Sequence, residues 1–416
     1  MVKSNFKSST LFDYLENKDN YNLFGLPNDT RVDYIHINNN KIQRFTNEFW
    51  TSKQRQACSL HEISYRACFK PQLPQFFISR FTKEGDTVYD PFTGRGTTIL
   101  EAALSNRNVV SNDVNPLSEI FCKSRMYIPD LFDLGRRLDS IPMYVNSKSD
   151  IDLSMFYHPK TLQEIVSIKN YLKHRKETNS KDELDNWIQM VATNRLTGHS
   201  KGFFSVYTLP PNQAVSSSRQ IEINKSRNLT PEYRDTKKLI LKKTKQLIRD
   251  ITEDDKDILR KIASNSIFLN KDTRYTDKIE SSSVQLTVTS PPFLDVVQYD
   301  KDNWLRAWFN DVDSNIITKQ ISMFRKLDDW CEFMESVFAE LYRITRLNGI
   351  VAFEVGEVKG GKICLDESVV EIGRSVNFRC LGILVNEQIF TKTANIWGIA
   401  NNSKGTNTNR IVVFQK

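Results

Sequence analysis

Asp90-Pro91-Phe92-Thr93-Gly94-Arg95-Gly96-Thr97-Thr98 decides the fold. It follows a short β-rich run, Thr87-Val88-Tyr89, that itself comes after Gly85. A helix starts near Thr97 and carries Ile99, Leu100, Ala103 and Leu104. A second short strand, Val109-Val110, ends at Asp113. Strand, glycine turn, helix, strand and acid, in that order, open a nucleotide-binding βαβ unit. Glycines at the carboxyl end of a strand let the backbone approach a bound nucleoside, which a Cβ would block. Asp113 lies 19 residues past Gly94, where an acid accepts hydrogen bonds from ribose hydroxyls. The dinucleotide fingerprint lacks its third glycine, because Thr97, Thr98 and Ile99 follow Gly96. That speaks against a nicotinamide dehydrogenase. A lone G-x-G also fits a plain structural turn. From Gly356 to Gly361-Lys362 the spacing is that of a phosphate loop, but Ile363 stands where Ser or Thr would ligate magnesium, so it reads as a loop after a strand.

The second turn is Ser290-Pro291-Pro292-Phe293, after the strand-like run Val284-Gln285-Leu286-Thr287-Val288. Two prolines freeze the backbone and offer no N–H. The carbonyls of Ser290 and Pro291 are held outward beside a hydroxyl and a ring. Such acceptors suit a flat base with an exocyclic amine. Alone, the tetrapeptide fits an ordinary rigid turn equally well. With the glycine turn on the same sheet edge it reads as part of a ligand site, since such sites gather at the carboxyl ends of open α/β sheets.

Around these turns the chain divides. Residues 1–50 are polar and Asn-rich and show no clear core. Pro71 and Pro74 open a helix with Leu73, Phe76, Phe77 and Phe81 on one face. Leu162/Ile165/Ile168/Leu172 and Leu184/Trp187/Ile188/Val191 have helical spacing. A Ser-, Pro- and Gly-rich loop runs from about Thr197 to Asn228, and Thr230-Pro231 reads as the cap and first residue of a basic helix. Trp330/Met334/Val337/Phe338/Leu341 is the cleanest amphipathic helix, ending at Asn348-Gly349 before a strand Ile350–Val355. Strands near Leu381–Phe390 and Ile411–Phe414 close the chain as an antiparallel addition to a parallel sheet. The domains read as 1–60, an extension; 61–150, a cofactor half; 151–265, an inserted basic domain; and 266–416, a catalytic half.

The chain has 416 residues, 39% hydrophobic and 26% charged, enough apolar side chains for a sizeable core. No run approaches a membrane span. MVKSNFKSST lacks the apolar stretch of a secretory signal. The six cysteines include no C-x-x-C, so a reducing cytoplasm is expected and structural zinc of that spacing is not. The five histidines, His36, His61, His158, His174 and His199, show no metal spacing, and no metal is expected. Between Arg195 and Asp250 lie twelve Lys/Arg and four acids, an excess equal to the whole chain's +8. That segment carries the polyanion signal, against the plainer reading of a solvated basic helix.

This constellation resembles the S-adenosylmethionine-dependent DNA amino-methyltransferases of bacterial restriction–modification systems, from about His61 to Lys416 apart from the basic block. The resemblance implies an α/β, Rossmann-like methyltransferase sheet, mostly parallel with a C-terminal antiparallel strand, plus an inserted target-recognition domain. It implies cofactor binding by Phe69, Lys70 and Pro71, by Asp90, Pro91, Phe92, Gly94, Gly96, Thr97 and Thr98, by Asp113 and Asn115, and by Asp272 near the adenine. It makes Ser290, Pro291, Pro292 and Phe293 catalytic, with Phe for the family's usual Tyr. Gly405-Thr406-Asn407-Thr408-Asn409-Arg410 before a strand is also similar to the family. Lys201, Arg219, Lys225, Lys237, Lys238 and Lys242 are the expected DNA contacts, and Thr197–Phe204 is plausible either as a DNA loop or as packing. Serine at the first catalytic position resembles the cytosine-N4 branch, so the expected reaction is N4 methylation of cytosine in duplex DNA. Adenine-N6 methylation is the alternative and an RNA base methyltransferase a weaker one. No cysteine follows a proline, against a cytosine-C5 enzyme. A cognate restriction endonuclease is the implied functional partner, without a stable complex, in a bacterial or archaeal cytoplasm.

Overall fold

The computed structural model describes residues 23–38, 40–50, 57–65, 68–143, 147–208, 214–292, 299–313, 324, 326–358, 363–387 and 408–416. A hairpin of β1 (Arg31–Ile37) and β2 (Asn40–Asn47) comes first. Helix α1 (Gln72–Phe81) precedes β3 (Thr87–Asp90), α2 (Thr97–Leu104) and β4 (Asn108–Asn112). A helical block follows: α3 (Leu117–Ser124), α4 (Leu131–Ser140), α5 (Pro159–Glu177), α6 (Glu183–Arg195), α7 (Ser217–Arg227), α8 (Thr236–Leu247) and α9 (Glu253–Ser264). The chain then returns to the sheet as β5 (Ile267–Leu269) and β6 (Val284–Thr289). Next come α10 (Tyr299–Phe309), α11 (Leu327–Ile344) and β7 (Thr345–Val355). A small hairpin of β8 (Glu357–Val358) and β9 (Ile363–Cys364), α12 (Leu365–Ser375), β10 (Arg379–Glu387) and β11 (Thr408–Gln415) complete it.

The nine-stranded sheet has the order β1-β2-β10-β11-β7-β6-β3-β4-β5. Its five-strand run β7-β6-β3-β4-β5 is parallel. β11 inserts antiparallel between β7 and β10, and β10 runs parallel to β2. The α/β class, with its antiparallel final strand, is as expected. Parallel strands are covered on both faces, so they read as unbroken apolar runs. In β7, Ile350 and Ala352 join one buried layer while Val351, Phe353 and Val355 join the other. The chain steps outward from β3 to β4 and β5, then returns on the other side of β3 as β6. That reversal makes a switch point between β3 and β6, where a crevice opens at the strands' carboxyl ends.

Several local expectations are corrected. The first 50 residues do contribute a core: β1 and β2 extend the sheet, and Phe24, Phe45 and Trp50 are buried. The basic helix begins at Thr236, not at Thr230-Pro231, and Asp235 caps it by accepting the Lys238 N–H. Just before it, the Arg234 N–H donates to the Thr161 hydroxyl, which donates in turn to the Arg234 carbonyl. The expected loop 197–228 contains α7. Helix α11 ends at Ile344, where Thr345 turns extended and joins β7. Asn348, at φ 63°, lies within that strand, where the β6–β7 register slips. The phosphate-loop spacing from Gly356 falls on the β8–β9 hairpin, whose residues 359–362 lie outside the described ones.

Candidate active site at the switch point

The glycine turn is fixed by its own hydrogen bonds. Gly94 and Gly96 have φ of 54° and 80°, a region that side chains with a Cβ rarely adopt. A Cβ on Gly96 would stand 2.3 Å from the Cys122 Sγ. Pro91, Gly96, Thr97 and Thr98 are buried, while Phe92 and Gly94 remain partly exposed. The Thr98 hydroxyl donates to the Val288 carbonyl, which ties α2 to β6 at 3.0 Å. Asp90 is only 1% exposed. Its Oδ1 accepts from the Thr289 hydroxyl at 2.7 Å and from the Phe92 N–H at 3.1 Å. Asp90, expected as a cofactor ligand, therefore braces the glycine turn against the strand that ends in Ser290. Burial pushes its carboxyl up to about 7, against the hydrogen bonds it accepts.

Beyond β4, Asp113 accepts from the Gly94 N–H at 2.8 Å and the Asn115 N–H at 2.9 Å. Burial pushes its carboxyl up to about 6, and those two N–H groups act in the opposite sense. Asn115 is buried, its Oδ1 caps the Leu117 N–H, and its Nδ2 has no partner among the described residues. Beyond β5, the Asn112 side chain holds Lys271, and Thr273 donates to the Pro91 carbonyl at 2.9 Å. Asp272 is thereby brought beside the same crevice. Its carboxyl is resisted by burial but held below its ordinary value by the Arg274 guanidinium, 2.6 Å away. Phe69, Lys70 and Pro71 are partly buried ahead of α1, and burial lowers the Lys70 ammonium pKa.

Ser290 and the two prolines follow β6 directly. Pro291 is buried, and Ser290 and Pro292 are partly exposed. The Trp330 indole N–H donates to the Pro292 carbonyl at 3.3 Å, so a wholly buried ring fixes the second proline. The Ser290 hydroxyl hydrogen-bonds the Glu354 carboxyl, and Asn409 donates to Glu354 Oε1 at 2.8 Å. Burial raises the Glu354 pKa, and those two donors counter it. Glu354 was not singled out in the sequence, and Trp330 only as an apolar position of its amphipathic helix; the signal for Glu354 was one acid inside the apolar run Ile350–Val355. Phe293 and residues 405–407 lie outside the described residues.

The expected DNA contacts scatter over the helical block. Lys201, Lys225 and Lys242 are exposed and make no ion pair among the described residues. Arg219 pairs with Glu222 at 2.6 Å and Lys238 with Asp235 at 3.4 Å. Lys237 reaches the Asp139 carbonyl at 3.4 Å. Lys243, from the same basic run, is 7% exposed and points inward. Within Thr197–Phe204, Phe203 and Phe204 are buried, while His199, Ser200 and Lys201 are exposed. Among the described residues no group of three or more His, Cys, Asp or Glu could hold a metal ion, and no helix is long and apolar enough to cross a membrane.

Residues 5–120 match the family model described as DNA methylase, so the match starts well before His61, where the resemblance was expected to begin. The chain is 24% identical over 357 residues to the Type II methyltransferase M.BsoBI of Geobacillus stearothermophilus, covering 76% of this chain and 68% of that protein. It is 37% identical over 62 residues to the orphan methyltransferase M.BamHII of Bacillus amyloliquefaciens, 14% of this chain and 23% of that one. TrmN of Thermus thermophilus, 10% identical, covers 86% of this chain and 51% of its own at a TM-score of 0.31, a likeness too loose to bear on function. With the glycine turn and these similarities together, the chain is an S-adenosylmethionine-dependent methyltransferase, similar over residues 5–120 to DNA methylases and at low identity to Type II methyltransferases.

Proposed function

We propose that the protein methylates the exocyclic N4 of cytosine in duplex DNA, as the modification partner of a restriction endonuclease. The observation that carries the reading is the Ser290–Glu354 hydrogen bond beside the Pro291 turn. With its O–H directed to a carboxylate, the Ser290 oxygen offers only lone pairs to the crevice. It and the Pro291 carbonyl then form two acceptors for the two hydrogens of an amine. Holding those hydrogens turns the amine lone pair out of conjugation with the ring. Phe293 stacks on the extruded base, and extrusion costs a few kcal/mol that stacking and pocket contacts offset. The residues also fit the cofactor: a Gly94 Cβ would meet nothing closer than the Tyr65 ring at 3.6 Å, so the backbone is open to approach, Asp113 offers a carboxylate to the ribose hydroxyls, and the buried Asn115 Nδ2 has no partner among the described residues. S-adenosylmethionine supplies, when bound, an electrophilic sulfonium methyl. The exposed Lys201, Lys225 and Lys242 attract the phosphate backbone.

The test is the product. The protein would be incubated with S-adenosylmethionine and unmethylated mixed-sequence duplex DNA, and the DNA digested to nucleosides for mass spectrometry. N4-methylcytosine is the expected result. N6-methyladenine would overturn the base assignment and leave the two-acceptor geometry standing.

Cofactor affinity should also depend on pH. Ribose hydroxyls donate to an ionised Asp113, and its carboxyl titrates near 6 in the free protein. Protonation removes an acceptor, so affinity should rise as pH rises through that value, by about tenfold from pH 5 to 7. Calorimetric titration across that range checks it, and Asp113→Asn should flatten the slope. An unchanged slope in that variant would assign the proton elsewhere. The sign for folding is opposite: a raised carboxyl pKa favours the fold at low pH, and that contribution is lost as pH rises from the ordinary value toward 6.

A further inference from the structure

Three cations are buried together where the helical block meets the sheet domain. Arg195 ends α6, Lys243 lies on α8 and Arg306 on α10, and they are 7%, 7% and 5% exposed. Two of them have a carboxylate at hand. Lys243 Nζ lies 3.8 Å from Glu62, which also takes Arg249 at 2.5 Å. Arg306 feels the charge of Asp302. Arg195, coupled to both, has no carboxylate among the described residues. Burial first and then the like charge of Arg306 hold its pKa down to about 10. Burial first and then Arg195 bring Lys243 down to about 8.

The surroundings hold Arg195 in place without neutralising it. Its Nη2 donates to the Asn194 Oδ1 at 2.6 Å, and its guanidinium lies 3.9 Å above the Phe203 ring. Phe203 comes so close to Gly198 that a Cβ there would stand 2.3 Å from the ring. The Arg195 Nε has no hydrogen-bond partner among the described residues. Asn194 and Arg306 donate to the same Ser64 carbonyl, each at 3.0 Å, so the two arginines are fastened to one point. The next residue, Tyr65, lies 5.8 Å from the Arg306 guanidinium, and its Cε1 is 3.6 Å from where a Gly94 Cβ would stand. The cluster is thus one side chain from the glycine turn. Arg306 also belongs to α10, the helix that follows the Ser290 turn.

A buried guanidinium without a counter-charge is costly, and an oxyanion that paired with it would offset that cost through strong charge-assisted hydrogen bonds. We propose that Arg195, flanked by Arg306 and Lys243, receives a phosphate of the substrate strand next to the target base. The proposal rests on the reading of DNA as substrate. A planar fork with a free Nε suits two oxygens of one phosphate. The exposed lysines attract DNA along its length, whereas this cluster holds a single phosphodiester at the site of reaction.

The test uses the full chain and Arg195→Met, which keeps the stem and removes the charge. Melting midpoints would be compared in chloride and in inorganic phosphate at matched ionic strength. Binding to mixed-sequence duplex DNA would be followed across salt concentrations, and cofactor affinity measured alongside. Phosphate should raise the wild-type midpoint by several degrees more than that of Arg195→Met. In chloride the variant should melt no lower than wild type, because a like-charge burial is relieved. The salt slope of DNA binding should fall by about 1, with cofactor affinity unchanged. Equal phosphate shifts in the two proteins, or an unchanged salt slope, would overturn the proposal and leave Arg195 structural. A tenfold loss of cofactor affinity with DNA binding intact would overturn it in favour of the cofactor carboxylate. Should wild type bind no duplex DNA, the substrate reading fails, and a phosphate shift still lost in the variant keeps the anion site. If Arg195→Met does not fold, Arg195→Lys should show a reduced phosphate shift, and a wild-type shift overturns the proposal.

Discussion

Ser290→Ala should slow methyl transfer by about 10²-fold while cofactor affinity stays within about twofold. The serine hydroxyl is one of two acceptors proposed for the amine, and the other, the Pro291 carbonyl, belongs to a backbone that alanine leaves intact. Trp330 still fixes the Pro292 carbonyl, and the Thr289–Asp90 brace still sets the turn against the glycine loop. The lost interaction is one made as the amine leaves conjugation, so it should appear in kcat rather than in KM. The variant also leaves the buried Glu354 with Asn409 as its remaining donor in that pair of contacts, which should raise the carboxyl pKa further. Single-turnover methylation and cofactor calorimetry on the same preparation separate the two effects. Loss of cofactor binding in proportion to rate would remove Ser290 from the chemistry and make it a support for the crevice.

Much of this arrangement could be read from sequence because it rests on local rules. Gly94 and Gly96 announce positive φ, Pro291 and Pro292 a rigid turn, and Asp113 the end of a strand. Other parts depend on pairings between distant segments. β2 joins the sheet through Arg44–Asn47 against Ile383–Asn386, more than 300 residues away, so nothing within residues 1–50 marked them as core. Asp90 carries the residue type expected for a ligand, yet its carboxyl is taken by Thr289, 199 positions on. Glu354 meets Ser290 only because β6 and β7 pair in parallel with Thr289 opposite Phe353. In the basic run the charge total was readable, but the helical face was not: Lys242 is exposed and Lys243 is buried. Charge counting locates a polyanion surface, and only packing shows which cation turns inward.

Gly96→Ala should cost about 2–4 kcal/mol of stability and weaken cofactor binding by at least about tenfold. Two separate costs meet at this residue. An alanine at φ 80° is strained by about 1 kcal/mol. Its Cβ would also stand 2.3 Å from the Cys122 Sγ and 3.0 Å from the Arg125 Nη2. Arg125 has little room to move, since it is wholly buried and donates to the carbonyls of Phe121, Leu60 and Arg95. The last of these lies inside the glycine turn, so pushing Arg125 aside moves the turn itself. Gly85 provides the control: its φ is 81°, and a Cβ there meets nothing within 4 Å. Gly85→Ala should therefore show the strain alone, about 1 kcal/mol, with cofactor affinity intact. Adding Cys122→Ala to Gly96→Ala removes the nearest clashing atom and should recover part of the loss, a coupling expected of neighbours in contact. Denaturant unfolding and cofactor titration of the four proteins read each contribution. Equal costs at Gly85 and Gly96, with cofactor bound normally by both variants, would mean that the close packing under the turn has no part in holding its shape.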